Sequence, residues 1–142
     1  AGVAREAGVI DQVIFLGSVP HDKVLDYLDS SDFYIQSSLT EGFPRAVVEG
    51  LSRGCVCIGS RVGGITELVA DEFLVAPKNS REIAEKIRLF INMNPDEKQE
   101  VIRRNFKHAS LFASDKMDRQ REEYYKTVLK GIEGEVSGKH KK

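Results

Sequence analysis

Long apolar runs, an excess of charge of one sign and clustered metal-ligating side chains are all scarce in this sequence, and each scarcity removes a class of function. No apolar stretch approaches the length needed to span a bilayer, and the first residues lack the basic, apolar, small-residue order of a signal peptide. The 21 Lys and Arg residues against 22 Asp and Glu leave a formal net charge of −1, so no bulk field calls for a nucleic-acid partner. His21, His108 and His140 show no metal spacing and no accompanying Cys or Asp constellation, so no metal is expected and the histidines are assigned no chemistry. The only two cysteines, Cys55 and Cys57, lie two apart in an apolar run. A strand would turn both to the same face with no ring to close, so they are expected as small core residues in a reducing compartment. These exclusions predict a soluble, cytoplasmic chain whose 142 residues make one domain around one core, without internal repeats.

What the chain does contain is an alternation of strand-length apolar runs with helical periodicity, the pattern of parallel strands joined by crossover helices. The runs are Val13 to Gly17, Phe33 to Ser37, Val56 to Ser60 and Phe73 to Ala76. Each is nearly continuous in apolar character, which suits strands covered on both faces. Val24, Leu25 and Leu28 share one face of a helix from about Asp22 to Asp29. A helix opened by Pro44 puts Val47 and Leu51 on one stripe and Ala46, Gly50 and Gly54 on another, where small residues allow close backbone approach. Beyond Pro77 the helices become longer and more charged. Ile83, Ile87, Phe90 and Ile91 form one stripe, Pro95 interrupts it, Val101, Ile102 and Phe106 form a second, and Met117 to Leu129 a third. The fold class predicted is α/β, a Rossmann-like parallel sheet of about four strands with flanking helices and a helical C-terminus.

The stretch TEGFPRAVVEGLSRGCVCIGS, Thr40 to Ser60, carries the strongest chemical signal. Glu41 and Glu49 are separated by seven residues and bracket a Gly-Phe-Pro turn. Pro44 suits the first helical position, which places Glu41 on the loop and Glu49 about one turn into the helix. The free N–H groups and positive dipole end at a helix entrance favour an anion such as phosphate. Carboxylates beside them repel phosphate but accept hydrogen bonds from sugar and ribose hydroxyls, so a ligand carrying both kinds of group fits best. Gly42 lets a backbone approach a ligand with no side chain in the way. Arg45 could bond a phosphate or pair with Glu49 at i, i+4, and the two readings stand even. The Gly63-Gly64 pair fits a tight turn between strand and helix, and Glu67 the positive end of the following helix. Ser37 and Ser38, at a strand's carboxyl end, sit where open α/β sheets bind ligands, though serine caps are equally at home there.

With VIFLGSVPHDKVLDYLDSSDFYIQSS before it and GGITE and FLVAPKNSREIAEKI after it, this segment resembles the donor-site signature of the retaining glycosyltransferases of family 4, which have the two-domain GT-B fold. The likeness covers roughly the first two thirds of the chain and corresponds to the later part of that family's C-terminal, nucleotide-sugar-binding domain. It implies transfer of a sugar from a nucleotide-diphosphate sugar to an acceptor hydroxyl with retention, in polysaccharide or glycoconjugate biosynthesis and without a required metal. Glu49 matches the carboxylate that accepts from the ribose, and Glu41 the one beside the donor sugar, the candidate catalytic position. Main-chain groups of Gly42, Phe43, Pro44, Arg45 and Ala46 match the donor-contacting loop, and Gly63 and Gly64 a turn lining the nucleotide pocket. Gly50 and Thr66 depart from the usual Ala and Pro, and the loop before Phe73 is short.

The resemblance further implies that the diphosphate-gripping Arg and Lys, the two central strands and the acceptor domain all lie outside these residues, so transfer would need more than this chain. The division expected is a partial donor-binding domain at residues 1–133 and a disordered basic tail at 134–142. The implied partners are a nucleotide sugar and an N-terminal acceptor domain in the same or another chain, with peripheral membrane association of the parent left open. A non-catalytic nucleotide-sugar module, half of a split enzyme and a GT-B sugar-nucleotide epimerase are the alternatives.

Overall fold

The computed structural model describes residues 1–112 and Glu123. In chain order the elements are α1 (Gly2–Glu6), α2 (His21–Asp29), β1 (Phe33–Gln36), α3 (Arg45–Ser52), β2 (Val56–Ser60), α4 (Ile65–Leu68), β3 (Leu74–Val75), α5 (Ser80–Asn92) and α6 (Pro95–Ala109), with short 3-10 turns at Ile10–Gln12, Asp71–Phe73 and Ser110–Phe112. Three strands form one parallel sheet in the order β1-β2-β3. Phe33 pairs with Val56 and Gln36 with Gly59, and Ser60 pairs with Val75. All of β2 is buried, as continuous apolar character predicts for a strand covered on both faces.

Val47 and Leu51 sink into the core from α3, beside Ile58, Ile65 and Phe73. The small-residue stripe has a direct reason at Gly50, where an added Cβ would lie 3.0 Å from the Tyr34 Cβ and 3.1 Å from the Cys57 sulfur. The helix therefore rests against β1 and β2 through its backbone. Gly54, just past the helix, has φ +87°, a conformation that ends a helix readily in glycine alone. From the far side of the sequence, α6 packs on α3, and its buried Asn105 donates to the Cys55 carbonyl over 3.4 Å. Cys55 and Cys57 are both buried and free, with their sulfurs near the carbonyls of Leu28 and Val47.

The expected strand at Val13 to Gly17 is not one. The segment is irregular, with Ile14 83 % and Phe15 61 % exposed. A strand exists by pairing, and no neighbour among the described residues supplies the ladder. The fourth run shrinks to two residues because Asp71–Phe73 turns before it. Pro44 is the N-cap and not the first helical residue, since its ψ of 94° is extended while its carbonyl accepts the Val47 N–H. On α5, Ile91 is 56 % exposed and leaves the stripe to Ile83, Ile87 and Phe90. Pro95 separates two helices as expected, and Asn94 and Glu97 close a reciprocal capping box there. The expected third stripe, the boundary at 133 and the basic tail lie outside the described residues.

No helix among the described residues is long and apolar enough to cross a membrane.

Candidate functional site

The carboxyl ends of parallel strands are where open α/β sheets present their ligand-binding loops. In this chain β1 runs into Ser37 to Pro44 and β2 into Arg61 to Gly64, and these two loops meet. The Gly64 N–H donates to the Gly42 carbonyl over 2.9 Å. A Cβ on Gly63 would overlap the Glu41 carbonyl oxygen, and one on Gly64 the Gly42 carbonyl oxygen. Gly63 also has φ +44°. The paired glycines are thus explained by contact with the Glu41-Gly42 loop, a stronger constraint than a tight turn alone. That contact occupies the Gly64 amide, so its contribution to a site is to hold the neighbouring loop.

The entrance of α3 is open. Among the described residues the N–H groups of Gly42, Phe43, Arg45 and Ala46 donate to no protein acceptor, and no side chain caps the helix. An added Cβ at Gly42 would meet nothing within 4 Å, so space lies beside that backbone. The Phe43 ring, 45 % exposed, lies 5.4 Å from the ring of Phe112. Arg45 is exposed and makes no ion pair among the described residues, so the i, i+4 pairing with Glu49 is not formed.

Glu41 and Glu49 are both half-buried and share a neighbour that sequence reasoning missed, Tyr34 on β1. Burial is the main reason the Tyr34 phenol titrates above its ordinary range; Cys57, Glu41 and Glu49 add to the shift in that order. Gln36, likewise missed, joins this group: the Tyr34 hydroxyl donates to its Oε1 at 2.5 Å, and its Nε2 donates to Ser38 Oγ at 2.7 Å and Glu41 Oε2 at 3.2 Å. Tyr34, Gln36 and Ser38 are spaced two apart, the period that sets strand side chains on one face, and that was the available signal. Ser38 is therefore engaged with Gln36. Ser37 instead lines a hollow of about 240 Å³ at the strand ends, with Ser60, Lys78 and Asn79. A larger hollow of about 560 Å³ lies between α5 and α6, lined by Leu89, Met93, Val101 and Arg104, away from both loops. Because its walls carry none of the residues above, the loops at the sheet end remain the candidate site.

Glu67 sits in the first turn of the four-residue α4, and its carbonyl lies 2.8 Å from His108 Nε2. This one hydrogen bond links α4 to α6. Among the described residues no three His, Cys, Asp or Glu side chains come together as a metal site would require.

A phosphatidylinositol N-acetylglucosaminyltransferase subunit of Arabidopsis thaliana is 35 % identical over 92 residues, covering 61 % of this chain and 21 % of that protein. Protein CapJ of Staphylococcus aureus is 31 % identical over 132 residues, covering 89 % of this chain and 33 % of CapJ. The chain thus spans between a fifth and a third of the length of these relatives. A sucrose-phosphate synthase from Thermosynechococcus elongatus superposes with a TM-score of 0.81 over 92 % of this chain and 33 % of that one, at 22 % identity, which shows the shared GT-B fold. The family described as Glycosyl transferases group 1 matches residues 2–109, a span that includes both loops, the helix between them and all three strands, and the chain belongs to that family.

Proposed function

We propose that this chain supplies the nucleotide-sugar donor site of a retaining, family 4 glycosyltransferase acting in polysaccharide or glycoconjugate biosynthesis. Glu49 accepts hydrogen bonds from the ribose, Glu41 lies beside the donor sugar, and the amides of Gly42, Phe43, Arg45 and Ala46 receive sugar hydroxyls and the distal phosphate. The observation that carries the reading is the open α3 entrance, with unengaged amides and the Glu41 carboxylate held on its loop by Gln36. Chemistry supports the same division of labour, because amides at a helix start favour phosphate whereas carboxylates favour hydroxyl donors.

In the reaction, negative charge grows on the departing diphosphate. Preset amide dipoles stabilise such charge without reorganising, which is the largest contribution a site of this kind makes. Arg45 stands at the same entrance, exposed, and can approach a bound phosphate. No metal is needed in this scheme, and the leaving phosphate assists removal of the acceptor proton. The proposed partner is an acceptor-binding domain in the same or another chain, and the proposed compartment is the cytoplasm, in keeping with the two free buried thiols.

Titration of the isotope-labelled chain with UDP, GDP and ADP sugars tests the reading. Weak binding is expected, with amide shifts at Gly42, Arg45, Ala46 and Glu49. Glu49→Ala should weaken it roughly tenfold through loss of hydrogen bonds to an ionised acceptor. Shifts confined to the groove between α5 and α6, or unaltered affinity in Glu49→Ala, would remove the assignment of the ribose.

A further inference from the structure

We propose that Gln36 is a positioning residue that holds Glu41 as a pure hydrogen-bond acceptor turned to a ligand hydroxyl, through a one-way relay from Tyr34 to Gln36 to Glu41. The inference rests on the donor-site reading and adds to it two residues and a direction.

The direction follows from the donor and acceptor inventory. Gln36 Oε1 accepts the Tyr34 hydroxyl at 2.5 Å, and both Nε2 hydrogens are spent, on Ser38 Oγ at 2.7 Å and Glu41 Oε2 at 3.2 Å. The opposite setting of the amide would face its oxygen against the Glu41 carboxylate, two acceptors with no hydrogen between them, so the carboxylate fixes which way the amide points. The Tyr34 hydrogen then points to Gln36, and of the two Gln36 hydrogens one points to Glu41 and the other to Ser38. Its Oε2 is held by Gln36, while Oε1 takes no hydrogen bond from any described residue.

A carboxylate oxygen anchored on one side and open on the other selects a ligand that brings its own hydrogen. A hydroxyl does; a phosphate oxygen does not. Gln36 therefore sharpens discrimination for the sugar part of a nucleotide sugar and contributes nothing to its diphosphate. The strand makes this positioning rigid, since Tyr34 and Gln36 both stand on β1, whose partner β2 is wholly buried.

Two measurements on the full chain decide the matter. In the unliganded protein, the Gln36 side-chain amide pair is assigned by its disappearance in Gln36→Leu and then followed in Glu41→Ala. The relay requires that pair to move. A pair that stays in place overturns the proposal whether or not any nucleotide binds. Affinities for a nucleotide sugar and for its nucleoside diphosphate are then compared in wild type, Gln36→Leu and Gln36→Met, the second of which keeps the length, adds no charge and removes both donors. Nucleotide-sugar affinity should fall roughly tenfold in both variants while diphosphate affinity holds within about twofold. An equal fall for both ligands would mark Gln36 as merely structural and sink the proposal. If wild type binds neither ligand, the donor reading fails, and the amide measurement still decides the relay.

Discussion

At Gly63 the backbone has φ +44° and its α-carbon faces the Glu41 carbonyl, whereas Gly42, one loop away, has open space on the side where a Cβ would sit. The same substitution should therefore have opposite signatures at the two positions. Gly63→Ala combines a left-handed conformation with a backbone overlap and should destabilise the fold by about 2–3 kcal/mol in urea unfolding. Gly42→Ala should leave stability within about 0.5 kcal/mol, because nothing in the protein is displaced, yet weaken nucleotide-sugar binding by filling the ligand's approach. Tyr34 gives a prediction in pH. Its phenol is raised above the ordinary value of 10.0, so above about pH 10 the unfolded chain loses this proton while the folded chain keeps it. Fewer protons in the unfolded state means stability falls as pH rises through that window, and is unaffected by this group below it. Tyr34→Phe should flatten the decline, as read from unfolding midpoints between about pH 9 and 11.

Among the elements, α6 shows how local chemistry and tertiary packing divide the work. Asn94 accepts from the Glu97 N–H and Glu97 accepts from the Asn94 N–H, both at 2.9 Å, with Pro95 opening the helix. Asn94→Ala should lower unfolding free energy by about 1 kcal/mol, measured by denaturant titration, with the donor site unperturbed. Pro95 is written in the chain, and so the break between α5 and α6 was legible, though the capping box around it was not read. The same holds for the β1, α3 and β2 segments, where periodicity specifies the element. Not legible was anything set by a partner distant in sequence. Val13 to Gly17 has all the composition of a strand and forms none, because pairing is a property of two segments. Gln36 reads as the polar end of an apolar run until Tyr34 and Glu41 are seen on either side of it. The paired glycines suggested a turn, while the reason for glycine there is the carbonyl row of another loop.

For the whole molecule, the sheet is the governing feature. β1 pairs with β2 alone, so its other edge is open among the described residues, and Ile14, Phe15 and Ile35 are exposed. Unpaired edges and apolar surface together promote association between chains. The double substitution Ile14→Lys and Phe15→Lys should reduce self-association in sedimentation velocity without lowering the unfolding midpoint, since both side chains already face solvent. A longer partner covering the same surface should produce the same loss of association. The clasp between the Gly63-Gly64 turn and the Glu41-Gly42 loop acts at this scale too. Two crossovers that leave the sheet from different strands are riveted by one amide and two bare α-carbons, so neither can be lengthened, shifted or tilted by itself. A ligand that tugs on the threshold of α3 is thereby felt at the root of α4, and the pair will open to solvent deuterium as a single jaw.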